Sequence, residues 1–228
     1  MSFLDSDDFW LRDKLKNQLK SVLAADHFAW GYSDAFGFDS LSGETLFYFG
    51  QRNKQYEGMV GAKLLVRDFI VTSSVIARRS ILEEAGLFSN LVKVEDWDLW
   101  LRIAAKYPVN RCPDALVAYR VHGAMLTKNM PPEDVHKLNV AVLDRACTFA
   151  PDVYRPVRKK AMAAQYRRAG DSLARLGRLK EARQMFLEAI RLSPSTLTSY
   201  PRLIVTFAGR KFSSRVINTY RRQLGMIE

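Results

Sequence analysis

The chain has 228 residues, 48% of them apolar, and a formal net charge of +11. That apolar content is enough to fill one large domain or two small ones, while no apolar run reaches the ~18 to 20 residues of a membrane-spanning helix. The N-terminus lacks the basic and apolar regions of a signal peptide, so the expected location is cytoplasmic, and Cys112 and Cys147, with no CxxC spacing or histidine cluster, are expected as buried free thiols.

From the N-terminus, Phe3-Leu4-Asp5-Ser6-Asp7-Asp8-Phe9-Trp10 places three carboxylates at the end of an apolar segment. Carboxylates this close together can bind one hard divalent cation, or the diphosphate and ribose around it. Leu11, Leu15, Leu19, Val22 and Leu23 then follow helical spacing. The acidic run is therefore expected on a loop between a strand end and a helix, where α/β sheets place ligands. Residues 29–50 are short, aromatic and broken by Gly and Asp, which predicts strands and loops; Asp34 and Asp39 are expected as turn residues bonded to backbone. Two buried segments, Leu64-Leu65-Val66 and Phe69-Ile70-Val71, precede Thr72-Ser73-Ser74. A helix is predicted from Ile76 to Ala85, ended by Gly86 as its C-cap.

Val94-Glu95-Asp96-Trp97-Asp98-Leu99-Trp100-Leu101-Arg102 gathers three carboxylates and two indoles. Leu99, Ile103 and Ala104 continue at helical spacing, which puts Glu95 and Asp96 in a first turn, where the helix dipole favours negative charge. Carboxylates set among aromatic rings acquire raised pKa values suited to a general base. An acidic helix start with Trp97 and Trp100 packed inward accounts for the same residues equally well. Pro108 to Tyr119 reads as a strand that returns to the sheet and carries Arg120, a phosphate-binding type, and His122 towards the acidic run.

Met130-Pro131-Pro132-Glu133 is the clearest linker, followed by an amphipathic run from Val135 to Phe149. Beyond it, Tyr166, Gly170, Leu173, Gly177, Ala182, Phe186, Ala189 and Pro194 resemble a single tetratricopeptide unit, two antiparallel helices with small residues at their crossing. Charge divides at the same place. Residues 1–150 hold 18 Lys and Arg against 19 Asp and Glu, net −1, and residues 151–228 hold 17 against 5, net +12. The last stretch, Leu203 to Leu224, reads as a basic amphipathic tail suited to an anionic membrane surface. Nucleic acid is not an expected partner, because these cations accompany a repeat and no nucleic-acid motif.

Residues 3–122 resemble family 2 glycosyltransferases with the GT-A fold. Asp5-Ser6-Asp7-Asp8 is similar to that family's Asp-x-Asp motif, Gly86-Leu87-Phe88 and Glu95-Asp96 to its later signature, and Tyr119-Arg120-Val121-His122 to its late histidine, all in the family's order. The resemblance implies an inverting, metal-dependent transfer of sugar from a nucleoside diphosphate sugar to a glycan or lipid-linked acceptor, as in surface polysaccharide synthesis. It implies Asp96 as catalytic base beside Glu95; Asp7, Asp8 and His122 around Mg²⁺ or Mn²⁺; Asp5, Asp7, Asp8 and Arg120 on the donor; and Trp97, Asp98, Trp100 and Ser73 on the acceptor. The family's nucleotide-binding half precedes the acidic motif, so the expectation is an incomplete GT-A (Rossmann-like) α/β sheet over 1–130, its first strand near Phe3 short of neighbours. A connecting segment at 131–152 and an all-α basic module at 153–228 complete the expected organisation, peripheral to the inner face of the membrane. The alternative is a truncated, non-catalytic relic acting as a helical protein-interaction module.

Overall fold

The computed structural model describes residues 1–23, 29–123 and 130–207. The chain divides into two compact units, one of Met1–Leu64 and Asp68–Lys128, the other of Leu65–Arg67 and Asn129–Glu228. Most of the expected basic tail lies outside the described residues. No helix among the described residues is long and apolar enough to cross a membrane.

The first unit is mixed α/β. In chain order its strands are β1 (Phe9–Trp10), β2 (Trp30–Asp39), β3 (Thr45–Tyr48), β4 (Val75–Ala77) and β5 (Val109–Val121). They form one sheet in the order β1-β5-β2-β3, with β4 also paired to β2. The β2–β5 pair is parallel and the other pairs are antiparallel. β2 is the centre, buried from Trp30 through Ala35, the near-continuous burial of a strand covered on both faces. Its C-terminal half meets β3 and its first three residues meet β4. That second pairing explains a departure from the sequence reading. Ile76 and Ala77 are drawn into the sheet opposite Gly31 and Trp30, so the helix expected from Ile76 begins at Arg79. Gly86 ends it at φ +83, a left-handed conformation that glycine adopts without a Cβ penalty.

The chain start is also covered where the sequence left it bare. The Met1 ammonium donates to the Ala77 carbonyl at 2.6 Å, the Ala77 amide donates to the Met1 carbonyl at 2.9 Å, and Ser2 forms a bridge with Ile76. Phe3 packs edge-on against Trp100 at 5.3 Å and Phe88 at 5.5 Å. The expectation of a bare strand near Phe3 is therefore corrected.

The helices of this unit are α1 (Lys14–Leu23), α2 (Phe49–Arg52), α3 (Gly61–Val66), which runs past the unit's edge at Leu64, α4 (Arg79–Glu84) and α5 (Glu95–Ala104). α1 sits where its leucine spacing put it, but in an unexpected phase: Lys14 and Gln18 are buried. The Lys14 ammonium donates to the Ser2 hydroxyl at 2.9 Å and lies 4.2 Å from the centre of the Trp10 ring, and Gln18 donates to the Ser74 carbonyl at 2.7 Å. Burial without a carboxylate partner pushes the Lys14 ammonium down to about 8. A base depressed on folding binds fewer protons folded than unfolded above that value, so its cost is present at neutral pH and is relieved as pH rises from about 8 towards the ordinary lysine range. Lys14→Met is accordingly expected to stabilise the fold by about 2 kcal/mol at pH 7. Urea titrations of both forms at pH 7 and at alkaline pH check this, the difference shrinking at the higher pH.

Asp39 acts on the backbone of a turn, as expected, whereas Asp34 stands inside β2 and not in a turn. Asp39 accepts from the amides of Leu41 and Ser42, and Asp34 accepts from Ala35, Gly50 and the Gln55 side chain.

The described part of the second unit is helical: α6 (Pro132–Phe149), α7 (Pro151–Tyr154), α8 (Arg158–Arg175), α9 (Leu179–Leu192) and α10 (Ser199–Val205). Proline at the start of α6 loses no hydrogen bond there, because the first amides of a helix have no partner within it. α8 and α9 form a hairpin turned at Gly177, φ +78, over a core containing Leu173, Ala182 and Phe186. A Cβ at Gly170 would stand 2.6 Å from the Phe186 ring. Gly170→Ala is expected to force the hairpin apart and cost about 1–3 kcal/mol by overpacking, despite alanine's better helix propensity. Thermal unfolding followed by circular dichroism checks it. Beneath the hairpin Arg202 donates to Asp171 at 2.9 Å, both side chains nearly water-free. Cys112 and Cys147 are free and buried, as expected.

Candidate functional site

At one end of the sheet four segments distant in sequence converge: the acidic loop before β1, the 3-10 turn Thr72–Ser74 before β4, the first turn of α5, and the end of β5. The loop closes on itself, the Asp8 amide donating to the Asp5 carbonyl at 3.1 Å. It is tied down by Ser73, whose hydroxyl donates to Asp8 Oδ2 at 2.7 Å and accepts from the Asp5 amide at 3.0 Å. The other Asp8 oxygen takes the Arg120 amide at 3.0 Å. Asp8 is thus buried and engaged at both oxygens, whereas Asp5 and Asp7 keep contact with water.

The residue beside Ser73 holds the second acidic element. Thr72 donates to Asp96 Oδ2 at 2.5 Å, and the Trp97 amide donates to Asp96 Oδ1 at 2.7 Å. Two neighbouring hydroxyls therefore anchor carboxylates that lie about ninety positions apart in the sequence. Burial raises the Asp96 carboxyl above its ordinary value, overriding the hydrogen bonds from Thr72 and Trp97 that oppose it, and the nearby Glu95 charge adds to the rise. Glu95 stands at the head of α5 with Oε2 enclosed and unpartnered among the described residues.

The carboxylates act on one another. Desolvation, followed by the like charges of Asp8, Asp96 and Asp7, pushes Asp5 up to about 6. Burial raises Asp8 too, against the bonds from Ser73 and Arg120. Tyr119 lies among them: burial first, and then the charges of Asp8, Asp7, Asp5 and Asp96, push its phenol up to about 12. Arg120 spends its Nε–H on the Asp7 carbonyl at 2.7 Å and sets its guanidinium 4.9 Å from the centre of the Phe38 ring. His122 Nε2 is 2.9 Å from Asp7 Oδ2.

Of the residues singled out in the sequence, Asp5, Asp7, Asp8, Glu95, Asp96, Arg120, His122 and Ser73 share this end of the sheet, and Ser73 is enclosed as the tie of the acidic loop rather than exposed to an acceptor. Three others are corrected. Trp97 is in the core with its indole N–H donating to the Leu64 carbonyl at 3.0 Å. Trp100 is 0% exposed and stacks on Trp30. Asp98 is buried in an ion pair with Arg102 at 2.9 Å. None of these offers a face to a ligand, because Trp97 is turned to α3, Trp100 to β2, and Asp98 to Arg102 and through it to the end of α4. Two members were missed, Thr72 and Tyr119. Each stood inside a quoted stretch, beside Ser73 and Arg120, but nothing local shows that a threonine hydroxyl or a tyrosine will face carboxylates folded in from elsewhere.

The donor chemistry suits a hard divalent cation such as Mg²⁺ or Mn²⁺, since several carboxylates raise one another and the second oxygen of Asp7 has no hydrogen-bond partner among the described residues. No group of three or more His, Cys, Asp or Glu side chains among the described residues is arranged to hold an ion. Asp8, expected as a ligand, is instead buried with both oxygens held by Ser73 and the Arg120 amide, so Asp7, with His122 beside it, is the side chain that would meet a cation, bound phosphate oxygens and water supplying the rest, as is usual for Mg²⁺.

No family model and no curated protein sequence matches this chain.

Proposed function

We propose that the first unit carries the catalytic end of a GT-A glycosyltransferase of family 2, which transfers a sugar with inversion from a nucleoside diphosphate sugar to the hydroxyl of a glycan or lipid-linked acceptor. The observation that carries this reading is the pairing of the Asp5–Asp8 loop with Asp96 through the adjacent hydroxyls of Ser73 and Thr72. It is the arrangement the reaction needs: carboxylates for the departing diphosphate on one side, a raised carboxylate for the attacking hydroxyl on the other.

In this reading Asp96 accepts the acceptor's proton as the acceptor oxygen bonds to the anomeric carbon, and the bond from that carbon to the diphosphate breaks with its electron pair. A base with a raised pKa takes up that proton more readily than an ordinary carboxylate. Thr72 and the Trp97 amide hold Asp96 in place. Ser73 and the Arg120 amide hold Asp8, which fixes the loop so that Asp7 and Asp5 face outward, towards the diphosphate and ribose. The cation, when bound, supplies the charge that stabilises the leaving diphosphate. Arg120 has a guanidinium within reach of the same loop, and His122 orients Asp7.

Calorimetry with the full chain and a set of nucleoside diphosphate sugars, with and without Mn²⁺, tests this. The expected result is Mn²⁺-dependent binding that Asp7→Asn weakens about tenfold or more by removing a hard oxygen ligand. Binding that ignores both Mn²⁺ and the substitution would overturn the reading, and so would no binding of any donor.

A further inference from the structure

α1 turns the usual order of a surface helix inside out. The side chains it buries are Lys14 and Gln18, while Leu15, Leu19 and Leu23 are 42%, 40% and 60% exposed. These leucines recur every four residues and form one line along the helix, which Leu11, 38% exposed, extends through the preceding turn. Arg12, Lys16 and Lys20 repeat the same spacing one residue further on, about 100° around the axis. All three are exposed, and none makes an ion pair among the described residues. Asp13 is the one acidic residue from Leu11 to Leu23. The helix therefore shows an apolar stripe with a cationic stripe alongside it.

We propose that this face of α1 docks on an anionic lipid surface, the leucines entering the headgroup boundary and Arg12, Lys16 and Lys20 meeting lipid phosphates. Water leaves the leucine stripe without apolar neighbours, and the hydrated cations beside it, which have no ion pair among the described residues, can meet an anionic surface. A bilayer interface supplies an apolar layer and an anionic layer in adjacent planes, so a helix lying flat on it satisfies both together. Long basic side chains reach up to the headgroups from a helix seated lower down. A protein partner would need an apolar groove and an acidic rim in that same register. The inference does not depend on the proposed catalytic site, which uses none of these side chains.

The test is flotation of the full chain with vesicles of phosphatidylcholine alone or of phosphatidylcholine mixed with phosphatidylglycerol, at low and high salt. The parent is expected to float with the anionic vesicles. The pair Leu15→Ser and Leu19→Ser should lower binding about tenfold or more, whatever the salt, and Lys16→Gln with Lys20→Gln should lower it at low salt and flatten the salt dependence. Because the substituted side chains are exposed, unchanged circular dichroism should accompany both variants. The leucine pair is the deciding arm, since residues 208–228 carry further cations. Parent-like flotation of that variant, or no flotation of the parent, would overturn the proposal. Concentration-dependent dimerisation of the parent that the leucine pair abolishes, without vesicle binding, would assign the face to a second copy instead.

Discussion

Replacing Asp96 by Asn is expected to lower turnover in sugar transfer by about 10² to 10⁴ while leaving donor affinity nearly unchanged, because the variant loses a proton acceptor and keeps its shape. The local geometry allows the exchange. The Trp97 amide can still donate to the amide oxygen of an asparagine, and the Thr72 hydroxyl, which now donates to Oδ2, can rotate to accept from the amide nitrogen. Stability should move the other way. Burial raises the Asp96 carboxyl, so the folded state binds its proton more tightly than the unfolded chain, and the ionised form costs stability once pH exceeds the ordinary aspartate value. Asn removes that cost. The variant should be no less stable than the parent near neutral pH, and its stability should vary less with pH just above the ordinary aspartate value. Turnover and urea titrations on one preparation separate the possibilities: a fall in activity matched by a fall in stability would make Asp96 a structural residue and remove it from the proposed chemistry.

How far the sequence discloses this arrangement depends on whether a property is local. Helical spacing marked α1, α5 and α6, and Gly86 marked a real helix end, because period and cap are set by neighbours along the chain. The meeting of the acidic loop with Asp96 is a matter of topology. It follows from β5 lying between β1 and β2 and from β4 joining β2 just after Thr72–Ser74, and a stretch of residues read by itself carries neither fact. Phase was the hardest to read. The leucine spacing of α1 marks a helix but not its buried side, since Ser2, Trp10 and the Ser74 carbonyl offer Lys14 and Gln18 partners inside. In α5 the spacing of Trp97, Trp100, Leu101 and Ala104 describes one apolar face, and Asp98 with Arg102 four residues later is an ion-pair spacing. The structure uses both. Arg102 also donates to the carbonyls of Ala85 and Leu87 at the end of α4, which fastens the two helices together.

Trp100→Ala is expected to cost about 3–5 kcal/mol, a large share of the about 5–15 kcal/mol that is ordinary for a domain of this size. Trp100 is 0% exposed, stacks on Trp30 at 5.9 Å and takes Phe3 and Phe88 against its edges at 5.3 Å and 6.2 Å. Truncation would therefore strip contacts from three aromatic rings at once and leave a void in a close-packed core. Trp100→Phe should cost much less. It retains an aromatic ring in the stack and removes an indole N–H that is enclosed without a partner among the described residues, a donor whose burial is itself unfavourable. The two variants distinguish a core residue from a sugar platform. Any aromatic ring of adequate size restores a core, so Trp100→Phe should recover most of the unfolding free energy in urea titrations followed by circular dichroism. A platform would instead show parent-like stability in both variants with acceptor binding reduced, and that result would return Trp100 to the ligand side of α5.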